Sequence, residues 1–203
     1  MRRSFCGGIL GFALLAGVAS TSSAQETFTP VFQAPYRAFQ NHEFGASLSD
    51  PEFASFALEG FYRYGRGSND FGVRAGFADA EIGDAIVLVG GNFRTQVLSY
   101  SESFPLDGAL TVGLGGRFGE GDDIFSIPLG ISLGRRFDLE GSNTTFVPFV
   151  HPVIVPVFGG GDDDVAFALG LGVNINFSER WAVRASGGLG DIEGVGVSVA
   201  YIR

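Results

Sequence analysis

Along residues 165–177, "VAFALGLGVNINF", the odd positions read Val, Phe, Leu, Leu, Val, Ile, Phe and the even ones Ala, Ala, Gly, Gly, Asn, Asn. A period of two places alternate side chains on opposite faces of an extended strand. The same division recurs elsewhere. Leu110, Val112, Leu114 and Phe118 oppose Thr111, Gly113, Gly115, Arg117 and Gly119. Phe125, Ile127, Leu129, Ile131, Leu133 and Phe137 oppose Ser126, Gly130, Ser132, Gly134 and Arg136, while Val195, Val197, Val199 and Tyr201 oppose Gly196, Ser198, Ala200 and Ile202.

Ten such runs are predicted, over 41–48, 53–64, 70–78, 85–99, 108–119, 124–137, 144–158, 164–178, 181–189 and 195–203, separated by Gly, Asp, Asn and Ser clusters. Eight strands remain the alternative if 41–48 is a plug or lead-in and 181–203 divides differently. No segment holds a 3.6-residue period, so the chain reads as all-β.

One face of each run is large and oily, and the other is small or polar with little charge. A soluble barrel or sandwich needs charge on its outer face. Turning the barrel inside out resolves the conflict: bulky side chains meet hydrocarbon, and Gly, Ala and Ser crowd a narrow interior. Each run is long enough to cross a bilayer as a tilted strand, and closure leaves no backbone unpaired in lipid. The expected fold is a closed antiparallel up-and-down transmembrane β-barrel over 41–203. A soluble secreted β-barrel holding an apolar ligand is the rival reading.

The connections sort into two sets, as they must if alternate ones lie on opposite sides of a membrane. "SDPE", "DAEIGD", "GEGDD", "GGGDDD" and "GDIEG" are acidic and lack Arg; "GRGSND", "SESFPLD", "DLEGSN" and "SER" are mixed, with Arg63, Arg94, Arg135, Arg136, Arg180 and Arg184 in or near them. An even strand count puts both chain ends on the mixed side and the acidic loops outside.

Residues 1–24 read as a secretory signal peptide, with Arg2 and Arg3, an apolar run from about Phe5 to Val18, and Ser22, Ser23, Ala24 ahead of Gln25. Cys6, the sole cysteine, lies within it, so the mature chain is expected to carry no thiol or disulfide chemistry. Residues 25–40 then form a short periplasmic lead-in. Cleavage removes two arginines and no acid from a chain of net charge −9, which argues against nucleic acid as a partner.

The signal peptide, the repeated alternation and the terminal strand "VGVSVAYIR" together resemble the small outer-membrane β-barrel proteins of Gram-negative bacteria, the broad OmpA/OmpX/OmpW-like group. The resemblance implies a non-enzymatic scaffold or minor narrow pore in the outer membrane. Its implied partners are the surrounding lipid and the barrel-assembly machinery.

By parity the inward polar positions include Glu59, Arg63, Arg74, Arg94, Gln96, Arg117, Arg136, Asn174, Asn176 and Arg184. Arginine outnumbers carboxylate among them, so they form either an anion-favouring conduit or a plugged interior in which Glu59 and water satisfy the guanidinium groups. The loop carboxylates Asp122, Asp123, Asp162, Asp163 and Asp164 are a weak candidate for divalent cations, lacking the spacing of a known calcium loop; solvated acidic loops, adhesive at most, are the plainer reading. No cofactor is expected: "GLGGRFG" and "GGLGDIEG" miss the dinucleotide fingerprint. His151 has no Ser or Asp beside it in sequence, and a packed histidine is expected there and at His42.

In "FVPFVHPVIVPVF", Pro148, Pro152 and Pro156 share one strand parity, so their missing N–H groups fall toward one neighbour and should weaken pairing on that side. Phe53, Tyr62, Tyr64, Phe93, Phe137, Phe158, Phe177 and Trp181 fall near strand ends, where interfacial aromatic girdles are expected.

Overall fold

The computed structural model describes residues 26–79, 85–119, 123–161 and 163–203; the expected signal peptide, Asp122 and Asp162 lie outside them. The alternating runs become strands: β1 His42–Pro51, β2 Phe56–Arg66, β3 Asn69–Asp79, β4 Ile86–Leu98, β5 Asp107–Phe118, β6 Ile124–Ser126, β7 Leu129–Gly134, β8 Phe137–Asp138, β9 Thr145–Gly159, β10 Asp164–Asn176, β11 Trp181–Gly190 and β12 Gly194–Ile202. Every pairing is antiparallel and joins strands that follow one another round the wall, and β12 pairs with β1 to close it. The short pieces β6, β7 and β8 occupy one position between β5 and β9, so the barrel has ten strand positions. His42 and Arg203 exchange backbone hydrogen bonds at 3.0 and 2.8 Å, which sets both ends of the barrel on the rim with the mixed connections.

The interrupted position is where the prolines predict it. Ile127 N–H donates to the Pro156 carbonyl and Arg135 N–H to that of Pro148. In an antiparallel strand a residue's N–H and C=O point to the same neighbour, so the prolines withhold their donors from the β6–β8 side. Pairing of β7 with β9 accordingly skips Ile131 and Ser132, whereas β10 pairs with β9 without a break from Asp164↔Val157 to Asn176↔Thr145.

The wall is inverted relative to a soluble barrel. Leu114, Val165 and Val195 are 61%, 64% and 62% exposed, and they belong to an outer surface that is almost wholly aliphatic and aromatic. Glu43, Glu59, Asp70, Arg63, Arg74 and Arg94 are buried inside. An apolar exterior of this extent is stable only against hydrocarbon, so the barrel is a membrane-spanning one. Aromatic pairs mark both rims: Phe44–Tyr62, Phe71–Phe93 and Trp181–Tyr201 on the terminal side, Phe56–Phe77 and Phe118–Phe125 on the acidic side. Phe53 departs from the girdle expectation, because it turns inward to pack against the core and Arg117. Replacing Leu114 by Arg should cost about 2–4 kcal/mol, the penalty for a cation on the lipid face near mid-bilayer. Urea unfolding in lipid vesicles reads that loss; an unchanged midpoint would place Leu114 in water.

Candidate functional site

Residues 26–40 do not lie outside as a lead-in. They run through the lumen, turning near the acidic rim and leaving by the terminal rim. Phe28, at φ 62°, forms the turn and is buried against Arg117, which also stacks on Phe53. Phe32 packs in mid-lumen beside His151, and its N–H donates to Ser186 Oγ at 3.0 Å while that hydroxyl donates to the Pro30 carbonyl at 2.8 Å. Ser132 Oγ donates to the Gln33 carbonyl at 2.6 Å. Near the terminal rim, Arg37 donates to the Asn69 carbonyl at 2.6 Å and Phe39 is buried with Ala182, Ala200 and Ile202. The segment therefore touches wall strands all round the barrel, tying backbone that would otherwise lack partners.

The small inward residues make this threading possible. The ring of Phe32 lies directly over Gly170 and close to Gly188, where an added Cβ would come within 3.1 Å of it. Around Glu26, a Cβ at Gly90 would meet the Glu26 Cβ at 2.7 Å, and one at Gly113 would meet the Glu26 Cγ at 2.5 Å. The glycines are thus the mould of the plug. Gly170→Val should destabilise the folded barrel by roughly 1–3 kcal/mol through overpacking, measured by urea titration of the heat-modifiable form. Gly187→Val, where an added Cβ would stand 3.3 Å or more from the wall around it, should cost less.

The charged interior is organised in three groups. Arg63 and Arg94 share one carboxylate, Asp70: Arg63 donates Nε to Oδ1 at 2.9 Å and also ion-pairs through Nη2, and Arg94 donates Nε to Oδ2 at 2.8 Å. Arg94 Nη1 donates to the Ala34 carbonyl of the plug. Arg74 lies 3.3 Å from Glu59 and 3.9 Å from Glu26, and Thr29 Oγ1 of the plug donates to Glu59 Oε2 at 2.8 Å. Arg184 holds Glu43 through both Nη atoms, with one bond of 2.8 Å.

Of the residues expected inside, Glu59, Arg63, Arg74, Arg94, Asn174 and Asn176 are buried there, Arg184 nearly so, and Arg117 is half-buried against the plug tip. Arg136 lies at the edge of the lumen rather than deep within it. It stands at the terminal mouth with its side chain 40% exposed, paired to Asp138 at 2.7 Å and stacked on Tyr36 of the plug. It keeps the inward parity, its guanidinium turned onto the plug, but lies past the end of β7, where the bore opens to solvent. Gln96 reaches Asp107 near the same mouth. Glu26, Glu43 and Asp70 are the partners the inward list lacked. Glu43 and Asp70 were readable by parity, each preceding an outward Phe, whereas Glu26 sits in a segment with no period at all.

His151 is engaged rather than poised. Its Nδ1 accepts from the Gln33 N–H at 3.4 Å, which puts the ring proton on Nε2, and Nε2 then donates to Thr111 Oγ1 at 2.9 Å. A histidine donating to a hydroxyl cannot at the same time take that hydroxyl's proton. His42 pairs with Tyr62 at 2.9 Å. Asp123, Asp163 and Asp164 are exposed on the acidic rim, Asp164 capping Val165 N–H at 2.7 Å, and no group of three metal-ligating side chains comes together among the described residues.

No family model matches the chain and no curated protein does. Among solved structures it is similar to the β domain of the Bordetella autotransporter Brka, with 13% identity, a TM-score of 0.46 and coverage of 80% of this chain and 98% of that one. It is also similar to the outer-membrane protein Omp33 of Acinetobacter baumannii, with 8% identity, a TM-score of 0.40 and coverage of 82% and 99%. The chain's own geometry is that of a closed, ten-position membrane-spanning β-barrel with its N-terminal segment filling the bore.

Proposed function

We propose that the protein is a non-enzymatic integral β-barrel of a Gram-negative outer membrane, a structural scaffold whose bore is shut by its own residues 26–40. The observation that carries this reading is the burial of that segment from Glu26 to Phe39 inside a wall whose outer surface is apolar. Surrounding lipid and the barrel-assembly machinery are its partners, and a cleaved signal peptide over 1–24 brings it there. With the lumen occupied by packed side chains and ion pairs, the open anion conduit is the less favoured of the two interiors, and the wild-type barrel rests closed.

Cell fractionation and planar-bilayer recording test the reading together. A heat-modifiable band in the outer-membrane fraction and an insulating reconstituted barrel are expected. Recovery from the soluble periplasm without detergent would contradict the location; a steady wild-type current would contradict the closed state.

A further inference from the structure

Between the plug and the wall lies a cavity of about 50 Å³, bounded by Phe32, Ala34, Arg63, Arg94, Asn174 and Arg184 among others. One water needs roughly 10–15 Å³, so the space holds a few waters or one small ion. Its lining carries the guanidinium groups of Arg63, Arg74, Arg94 and Arg184 together with three buried amides, Gln33, Asn92 and Asn174, whose oxygens have no partner as placed and whose NH2 groups would face the space if the amides were turned over. Arg63 uses Nε and Nη2 on Asp70, leaving Nη1. Arg94 uses Nε on Asp70 and Nη1 on Ala34, leaving Nη2. Arg184 spends both Nη atoms on Glu43, and its Nε is buried with no partner. The Asn174 amide is buried with Oδ1 unpartnered, and turning the amide over would present its NH2 instead. Asp70 and Glu43 pull on the far sides of the guanidinium groups and do not line the space. Two arginines sharing one carboxylate leave positive charge beside it.

We propose that this cavity is a binding site for a small inorganic anion of the halide class, held by Arg63 Nη1, Arg94 Nη2, Arg184 Nε and the Asn174 amide. Unpaired buried donors are costly, and an anion satisfies several at once where they already converge. It would bolt β2 and β4 to β10 and β11 across the plug. The site rests on the plugged lumen, because Val31, Phe32, Gln33, Ala34 and Tyr36 form one of its walls.

Bromide is the probe. Crystals of the full chain grown in bromide should show an anomalous peak within hydrogen-bond reach of Arg63, Arg94 and Arg184. In detergent at constant ionic strength balanced with gluconate, the unfolding midpoint should rise saturably with bromide. Arg184→Lys, which keeps the charge for Glu43 but lacks Nε, and Asn174→Leu, which fills the space, should both lose that rise. Density showing the plug in place with only water in the cavity, or equal bromide responses in wild type and both variants, would overturn the anion site and leave the plug standing. Density with no plug in the lumen would overturn both.

Discussion

Asp70→Asn is expected to be the most damaging single substitution in the barrel, costing about 3–5 kcal/mol. Among the described residues Asp70 is the only carboxylate touching either Arg63 or Arg94, and all three side chains are buried. Removing one partner of a buried pair strands the remaining charge in a poorly solvated interior, and that penalty greatly exceeds the net worth of the pair itself. Here two guanidinium groups are stranded at once, and Arg94 also anchors the plug through Ala34. Urea unfolding, or loss of the heat-modifiable band, measures the effect. Glu43→Gln should cost less, because Arg184 is partly exposed and can recover water. If Asp70→Asn were as stable as wild type, the Arg63–Asp70–Arg94 cluster could not be the bridge described here.

Deleting residues 26–40 should convert an insulating barrel into a conducting one. The bore that remains is lined by Arg63, Arg74, Arg94, Arg117 and Arg184 against Glu43, Glu59 and Asp70, since Glu26 leaves with the plug. A confined surplus of guanidinium favours anions, so the reversal potential in a salt gradient should shift to the anion side. Because loss of the whole segment strips Phe28, Phe32 and Phe39 from the core, a milder variant guards against misfolding. Phe32→Ala should weaken the plug by roughly 3–5 kcal/mol, the usual cost of emptying a buried phenylalanine site, and should produce intermittent openings. Silence in both variants, with the heat-modifiable band intact, would show that something other than 26–40 closes the bore.

The wall was legible in the sequence because membrane barrels write their geometry with a period of two. Strand bounds from Phe56–Arg66 to Gly194–Ile202 fall within a few residues of the alternating runs. The proline spacing in β9 even located the weak seam. Parity carried the inward placement of Arg63, Arg74 and Arg94 as well, since facing is decided locally. At Arg136, where β7 ends and β8 begins, it leads only as far as the mouth, against Tyr36 of the plug. The plug was invisible for a different reason: residues 26–40 have no repeating pattern, and what holds them is made by the closed barrel. Phe32 fits because Gly170 and Gly188, eighteen residues apart on adjacent strands, leave a hollow that exists only after closure. Those glycines read as filler for a narrow bore, and are its mould.

The filled bore is tested most directly by nuclear Overhauser contacts in the full chain folded in detergent micelles. Cross-peaks from the Phe32 ring to the α-protons of Gly170 and Gly188 are expected. A Phe32 ring that shows contacts to detergent or water, and none to β10 or β11, would contradict the account.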